Sequence, residues 1–281
     1  FVHAPPRVRP AEEKAWLAAL APLFAAQDAA PPTRLETIYR SFAEDPAMLD
    51  LLVEARPRVI SFHFGLPGAA QIAALKQAGC LLLASVTNLD EAVAARTAGI
   101  DVLVAQGFEA GGHRGMFDPD TPDAMLGTFA LTRLLVVKAG LPVIAAGGIM
   151  DGRGVRAALD LGAVAAQLGT AFIACPESSA DAAYRAALAS PAAQHTVMTR
   201  AISGRPARCL ANHFTQWGTE SGGDVPDYPR TYAAGKALNA AAKIRGEGGY
   251  GAQWAGQGAP LARALPAADL VTAIAAEMRE A

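Results

Sequence analysis

From Arg58 onward apolar and polar positions alternate in two rhythms that take turns along the chain. Short continuous apolar runs, Val59–Gly65 (VISFHFG), CLLLASVT after Gly79, DVLVAQG after Gly99, PVIAAGG after Gly140 and AVAAQLGT after Gly162, are each followed by a segment of helical periodicity. Unbroken apolar strands alternating with helices predict βα units in a parallel sheet covered on both faces. In four of these units a glycine closes the preceding helix, where a left-handed backbone ends a helix at no steric cost. The pattern gives five βα units of a TIM (β/α)8 barrel that lacks its first two to three strands in this chain. Ahead of them, Phe1–Pro6 is expected to be the tail of a strand stopped by Pro5 and Pro6. Ala11–Ala26 and Thr37–Glu54 are expected to be helical, separated by a proline-bearing break from Asp28 to Arg34. Two strands and the start of a third are expected upstream of Phe1.

Beyond Ala180 the rhythm stops. Helices are expected from Tyr184, over Thr231–Arg245 and over Ala267–Arg279, with irregular chain over Arg200–Asn212, Gly218–Pro229 and Gly246–Gly258. The division that follows is a barrel of residues 1–180 and 259–281 and a helical lid of residues 181–258.

Within strands the two-residue period sorts side chains by face. Val102, Val104 and Gln106 share one side, so an amide reaches the strand's C-terminal mouth just before Gly111 and Gly112, whose turn presents His113. Ser61, His63 and Gly65 point inward, with Ile60, Phe62 and Phe64 toward the helices. His63 either lines a cavity or donates a hydrogen bond within the core. The interval from Gly99 to Gly140 is twice its neighbours' length, and the extra residues follow His113 at the barrel rim where active sites are built. Gly147-Gly148-Ile149, ahead of a helix near Asp151, and Gln167-Leu168-Gly169-Thr170 end the last two strands. Backbone N–H groups and a helix N-terminus there form a phosphate cradle, unless the glycines serve only the turns. His113 is a candidate proton acceptor because a neutral imidazole titrates near neutrality; His3, His195 and His213 have no comparable setting.

Composition narrows the classes of function. With 24 basic and 26 acidic residues, the charge of −2 supplies no basic face for nucleic acid or membrane. The 52% hydrophobic content is alanine-rich, and no apolar run reaches the roughly 20 residues of a membrane span. Cys80, Cys175 and Cys209 are odd in number and lack metal-ligand spacing, which fits reduced thiols in a cytoplasmic protein and no metal site.

AQGFEAGGHRG (Ala105–Gly115), AAGGI (Ala145–Ile149), QLGTAF (Gln167–Phe172), SFHFGLP (Ser61–Pro67) and WAGQ (Trp254–Gln257) together resemble the nitronate monooxygenases, FMN-dependent TIM barrels. The resemblance implies oxidation of alkyl nitronates, such as propionate 3-nitronate, or of nitroalkanes by O2 to a carbonyl compound and nitrite. It implies His113 as the catalytic residue and Gln106, Gly111, Gly147, Gly148, Gln167, Leu168, Gly169 and Thr170 as FMN contacts. Tyr228, Tyr232 and Lys236 reproduce the family's four-residue spacing and, with His63, are implied on the substrate side; Pro229 means that a helix through them starts after Tyr228. The alternatives are an NAD(P)H-dependent flavin reductase of the same superfamily, enoyl-thioester or quinone reductase, and a non-catalytic module holding a phosphate ligand. A homodimer contact through the lid is left undecided by the pattern.

Overall fold

A computed structural model of the chain describes residues 1–221 and 223–280. Gly222, inside the expected Gly218–Pro229 loop, lies outside the described residues. The first helix, α1 (Pro10–Ala25), starts on a proline and carries Glu12 and Glu13 in its first turn, where acidic side chains meet unpaired N–H groups. The second, α2 (Pro46–Ala55), starts on Pro46, with the Asp45 carboxylate accepting from Met48 N at 3.1 Å. The expected helix over Thr37–Glu54 is therefore cut short. Proline has no N–H to donate to a carbonyl of the preceding turn, and residues 37–45 hold only a single 3-10 turn at Phe42–Glu44.

The βα rhythm then appears as expected: β1 (Val59–Phe62), α3 (Ala69–Gln77), β2 (Leu81–Val86), α4 (Leu89–Ala98), β3 (Val102–Gln106), a two-residue β4 (Gly112–His113), α5 (Thr128–Lys138), β5 (Val143–Ala146), α6 (Gly152–Asp160) and β6 (Ala165–Gln167). Strands β1, β2, β3, β5 and β6 lie side by side in that order, all parallel. Gly79, Gly99, Gly140 and Gly162 close their helices with φ of 87°, 93°, 72° and 97°. Each strand sorts its side chains as its period predicts. Leu82, Ala84, Val86, Leu103 and Ala105 pack against Leu131 and Leu135 under the helices. Leu83, Val104 and Ala146 cluster with Val102 and Ile144 on the inner face. Leu103 is fully buried, so Leu103→Ala costs about 2–5 kcal/mol.

The remaining chain forms α7 (Ala182–Leu188), β7 (Thr196–Thr199), β8 (Ala207–Leu210), α8 (His213–Glu220), α9 (Arg230–Ile244) and α10 (Ala267–Glu280). Residues 181–258 are not purely helical as expected, because β7 and β8 join β4 in a three-stranded antiparallel sheet. Its pairing partner β4 lies nearly a hundred residues upstream, so no local pattern announces it. Helix α1 also departs from its assignment to the barrel. Trp16, Leu20 and Phe24 pack with Ala234 and Leu238 of α9, within residues 181–258. Residues Phe1–Pro6 form no strand; Val2 N donates to His63 O at 2.8 Å, at the end of β1. At the other terminus α10 lies on α6 closely enough that a Cβ on Gly152 would stand 2.4 Å from Ile274 O.

Candidate active site

The turn after β3 is held by groups that the chain supplies within a few residues. Gln106 Nε2 donates to His113 O at 3.0 Å, and its Oε1 accepts from Gly115 N at 2.7 Å. Gly112 takes φ of 79°, and a Cβ on Gly111 would lie 2.4 Å from Gly256 N. Gly111 is thus required where the WAGQ segment presses on the loop. Arg114, 2% exposed, turns back to donate to Gln106 O and forms a two-pronged pair with Asp123 at 2.7 and 3.1 Å. The buried Glu91 carboxylate accepts from Phe117 N at 2.9 Å, pinning the insertion from the other side. The long interval in the sequence is therefore a strapped rim.

His113 sits in an aromatic box. Its ring centroid lies 4.9 Å from Trp254, 5.4 Å from Tyr228, 5.5 Å from Phe64 and 6.0 Å from Tyr232. Phe64, expected among the helix-facing residues, adopts φ of 74° and swings into the box instead. His113 Nε2 stands 2.9 Å from Ser203 Oγ, and the Ser203 hydroxyl donates to Arg205 O at 3.3 Å. The Arg205 guanidinium stacks 4.2 Å over Phe64. Burial first, and then the Arg205 charge, push the His113 imidazole down to about 3, so the ring is neutral across the physiological range. His63 is likewise depressed to about 4, chiefly by burial. His3, which nothing in the sequence singled out, is 3% exposed and meets the edge of Tyr228 at 5.1 Å.

A cavity of about 110 Å³ opens at the strand ends beside this box. His63, Gln106, Gly111, Gly147, Gly148, Gln167, Gly169 and Thr170 line it, gathering one inner-face residue or loop from each of four strands. Gly147 and Gly148 take φ of 119° and 70°, and a Cβ added at Gly169 meets nothing within 4 Å. The N–H groups of Gly148, Gly169 and Thr170 have no partner among the described residues. An anion of phosphate size fits those free donors. Two expectations change. Leu168 packs with Met150, Cys175 and Leu270 rather than lining the cavity. The α6 N-terminus is already capped, since Gly154 N donates to Asp151 at 2.8 Å and Gly152 N to Glu277 at 2.8 Å.

Tyr228 and Tyr232 belong to the box, the first just before α9 and the second within it. Lys236 lies one turn further on, exposed, donating to Tyr39 Oη with its ammonium 5.4 Å from the Tyr232 ring centre. Sequence reasoning missed Ser203, Arg205, Phe64 and Tyr39. Ser203 and Arg205 come from the turn before β8, Phe64 from the residues just beyond β1 and Tyr39 from the N-terminal region, and no periodicity links the three places. No cluster of metal-ligating side chains occurs among the described residues, and none of the described helices is long and apolar enough to cross a membrane.

A parallel α/β sheet with a neutral, half-buried histidine and a row of free glycine N–H groups at its carboxyl mouth defines an α/β protein with an anion-accepting, histidine-bearing site. The sequence matches the family described as nitronate monooxygenase over residues 24–277. It is 59% identical over 281 residues to a nitronate monooxygenase of Paraburkholderia phytofirmans, covering 100% of this chain and 77% of the relative. It is 54% identical over 280 residues to one of Pseudomonas aeruginosa, covering 99% and 80%. A solved nitroalkane oxidase from Streptomyces ansochromogenes superposes with a TM-score of 0.89 at 37% identity, over 98% of this chain and 78% of that one. The chain belongs to the nitronate monooxygenase family.

Proposed function

We propose that the protein binds FMN across the carboxyl ends of its parallel strands and oxidises alkyl nitronates, and nitroalkanes, with O2 to a carbonyl compound and nitrite. When bound, FMN supplies the redox chemistry by accepting electrons from the substrate and passing them to oxygen. The cradle fits the cofactor's phosphate: Gly148, Gly169 and Thr170 offer unpaired N–H groups, and side chains at Gly147 or Gly148 would disturb the left-handed turn. Gln167, at the end of β6, and Gln106, at the end of β3, line the same cavity.

His113 is the proton acceptor for neutral nitroalkanes. The single Ser203 hydroxyl proton is directed to Arg205 O, so Ser203 Oγ accepts from Nε2–H and leaves Nδ1 as the free base. Nδ1 removes the α-proton as the carbon's electron pair moves onto the nitro group. A pKa near 3 makes the resting ring a weak base. The nitronate anion formed beside it favours the imidazolium and raises its basicity as the transfer proceeds. Tyr228, Tyr232 and Trp254 shield this ring from water and, with His63, shape the space for the alkyl group. An anionic nitronate needs no proton removed and depends on His113 less. The three cysteines are buried and unbridged, which suits the reducing cytoplasm in which we place the enzyme.

The observation that carries this proposal is the convergence of His113's loop and the glycine cradle on one cavity. The test is His113→Ala in the FMN-reconstituted protein. The variant keeps its yellow colour and loses turnover of neutral nitroethane by about 100-fold or more, with ethyl nitronate much less affected. Undiminished turnover of neutral nitroethane refutes the role of His113. Bleaching of the flavin by NADH without any nitronate turnover replaces the proposal with a reductase.

A further inference from the structure

The irregular Arg200–Asn212 stretch carries a buried cation that no step of the proposed reaction uses. Gly204 takes φ of 92°, and a Cβ there would lie 2.5 Å from Tyr228 N, so the turn before β8 presses on the Tyr228 backbone. Pro206 disfavours a helical backbone at the residue before it, and that residue, Arg205, comes to rest inside the fold, 4% exposed. There it lines a cavity of about 390 Å³ with His3, Phe117, Asp118 and Tyr228. Arg7 and Asp120, both exposed, stand at its mouth, so solvent reaches the cavity without passing the box around His113.

The cations of this cavity differ in what balances them. Arg7 pairs with Asp120 at 2.7 Å and with Asp227 at 2.8 Å, and Arg200 pairs with Asp120 at 3.0 Å. Arg205 meets no carboxylate within ion-pair distance among the described residues. Its Nη2 donates to Met116 O, and its Nε is buried without a partner. Phe64 covers one face of the guanidinium, which leaves the N–H groups in its plane to meet a counter-charge. Burial first, and then the Arg200 charge, lower the group to about 10, so it remains a cation at neutral pH. An uncompensated guanidinium inside a fold is destabilising, and an anion on its free donors relieves it. His3 Nδ1 is a second buried polar atom without a partner there. Asp118, exposed at the rim, accepts only from Asp120 N at 2.9 Å, and its free charge opposes a second negative charge on the ligand.

We propose that this cavity binds a small monovalent oxyanion of the nitrite class on the Arg205 guanidinium. The guanidinium fork matches oxygens held in a plane, and the single uncompensated charge at Arg205 sets the valence. Nitrite is also the anion that the proposed function releases. Its arrival cancels the Arg205 charge that helps keep the His113 imidazole weakly basic, and the ring becomes a better base toward neutral nitroalkanes. That coupling rests on the proposed function; the anion site does not.

Calorimetric titration of sodium nitrite into the FMN-reconstituted protein at pH 7, in buffer free of phosphate and chloride, measures the site while FMN fills the glycine cradle. Nitrite binds once per chain, and sulfate binds about tenfold more weakly or worse. Arg205→Met weakens nitrite binding by about tenfold or more. Asp118→Asn, a change at an exposed side chain, strengthens it by about threefold and serves as the test if the buried substitution prevents folding. Absence of nitrite binding in the wild type, undiminished binding by Arg205→Met, or no gain in Asp118→Asn overturns the proposal. Sulfate binding as tight as that of nitrite does the same. Initial rates with and without saturating nitrite read the coupling to His113. The ratio of kcat/KM for neutral nitroethane to that for ethyl nitronate rises by about twofold, whereas competition at the reacting centre lowers both alike. An unchanged ratio beside measured binding overturns the coupling. Nitrite taken up through Arg205 by a protein that turns over no nitronate upholds the site and overturns the proposed function. Ethyl nitronate turnover without nitrite binding does the reverse.

Discussion

Removing the Asp123 carboxylate tests whether the strapped rim is what presents His113. Arg114 is 2% exposed and follows His113 directly; its guanidinium donates to both Asp123 oxygens and to Gln106 O. In Asp123→Ala the guanidinium stays buried with its charge uncompensated, a loss of about 3–5 kcal/mol for pairs of this kind. The lower figure applies because Asp123 is 19% exposed and water enters to replace part of the bond. At about 2.1 cal/mol/K of unfolding entropy per residue, a 281-residue chain has about 0.6 kcal/mol/K, so 3 kcal/mol lowers the melting temperature by about 5 °C. Turnover of neutral nitroethane falls by about tenfold because the Gln106 amide that holds His113 O loses its neighbour. Thermal unfolding followed by circular dichroism at pH 7, with initial rates on the same preparation, measures both. Arg7→Ala is the contrast. Its pairs with Asp120 and Asp227 are reached from a side chain 58% exposed, and its loss costs about 1 kcal/mol or less. A melting temperature for Asp123→Ala within 1 °C of wild type, or equal to that of Arg7→Ala, refutes the reasoning.

Acid should loosen this protein well before its carboxylates titrate. His113 is held near 3, and His3 and His63 near 4, against 6.5 for an ordinary histidine, chiefly by burial. The unfolded chain therefore binds protons that the folded one refuses, and stability present above pH 6.5 is lost as the pH falls toward 4. A melting temperature that is flat over that window, in a chain with all three histidines intact, contradicts their burial. Gly147→Ala should lower the melting temperature and the yield of bound FMN together, since φ is 119° and the new Cβ would lie 2.8 Å from Thr128 Oγ1 and 3.0 Å from Ala110 N. Flavin content equal to wild type after reconstitution would show that the cradle does not need that backbone. The three thiols should stay unreactive toward a disulfide reagent until the protein unfolds, because Cys209 is fully buried with its thiol pushed up to about 12, and Cys80 and Cys175 are buried as well. Rapid labelling of the native protein would rule this out.

The sequence by itself determined whatever depends on neighbours in the chain. Apolar runs and glycine stops fixed five parallel strands with their helices, because strand period and left-handed helix ends are local properties. The same locality set Gln106 and His63 on inner faces and put His113 on a glycine turn at the strand mouth. Tertiary structure alone decided what converges from far away. It brought β8 to pair with β4, Ser203 to the imidazole, Arg205 onto Phe64 and Glu277 onto the α6 terminus that the glycine pattern had reserved for phosphate. It also turned Phe64 away from the helices and His3 onto Tyr228, through one left-handed residue and one extended segment that carry no periodicity. Periodicity reports which face of an element is buried. It is silent on which distant element does the burying, and the neutrality of His113 depends on that.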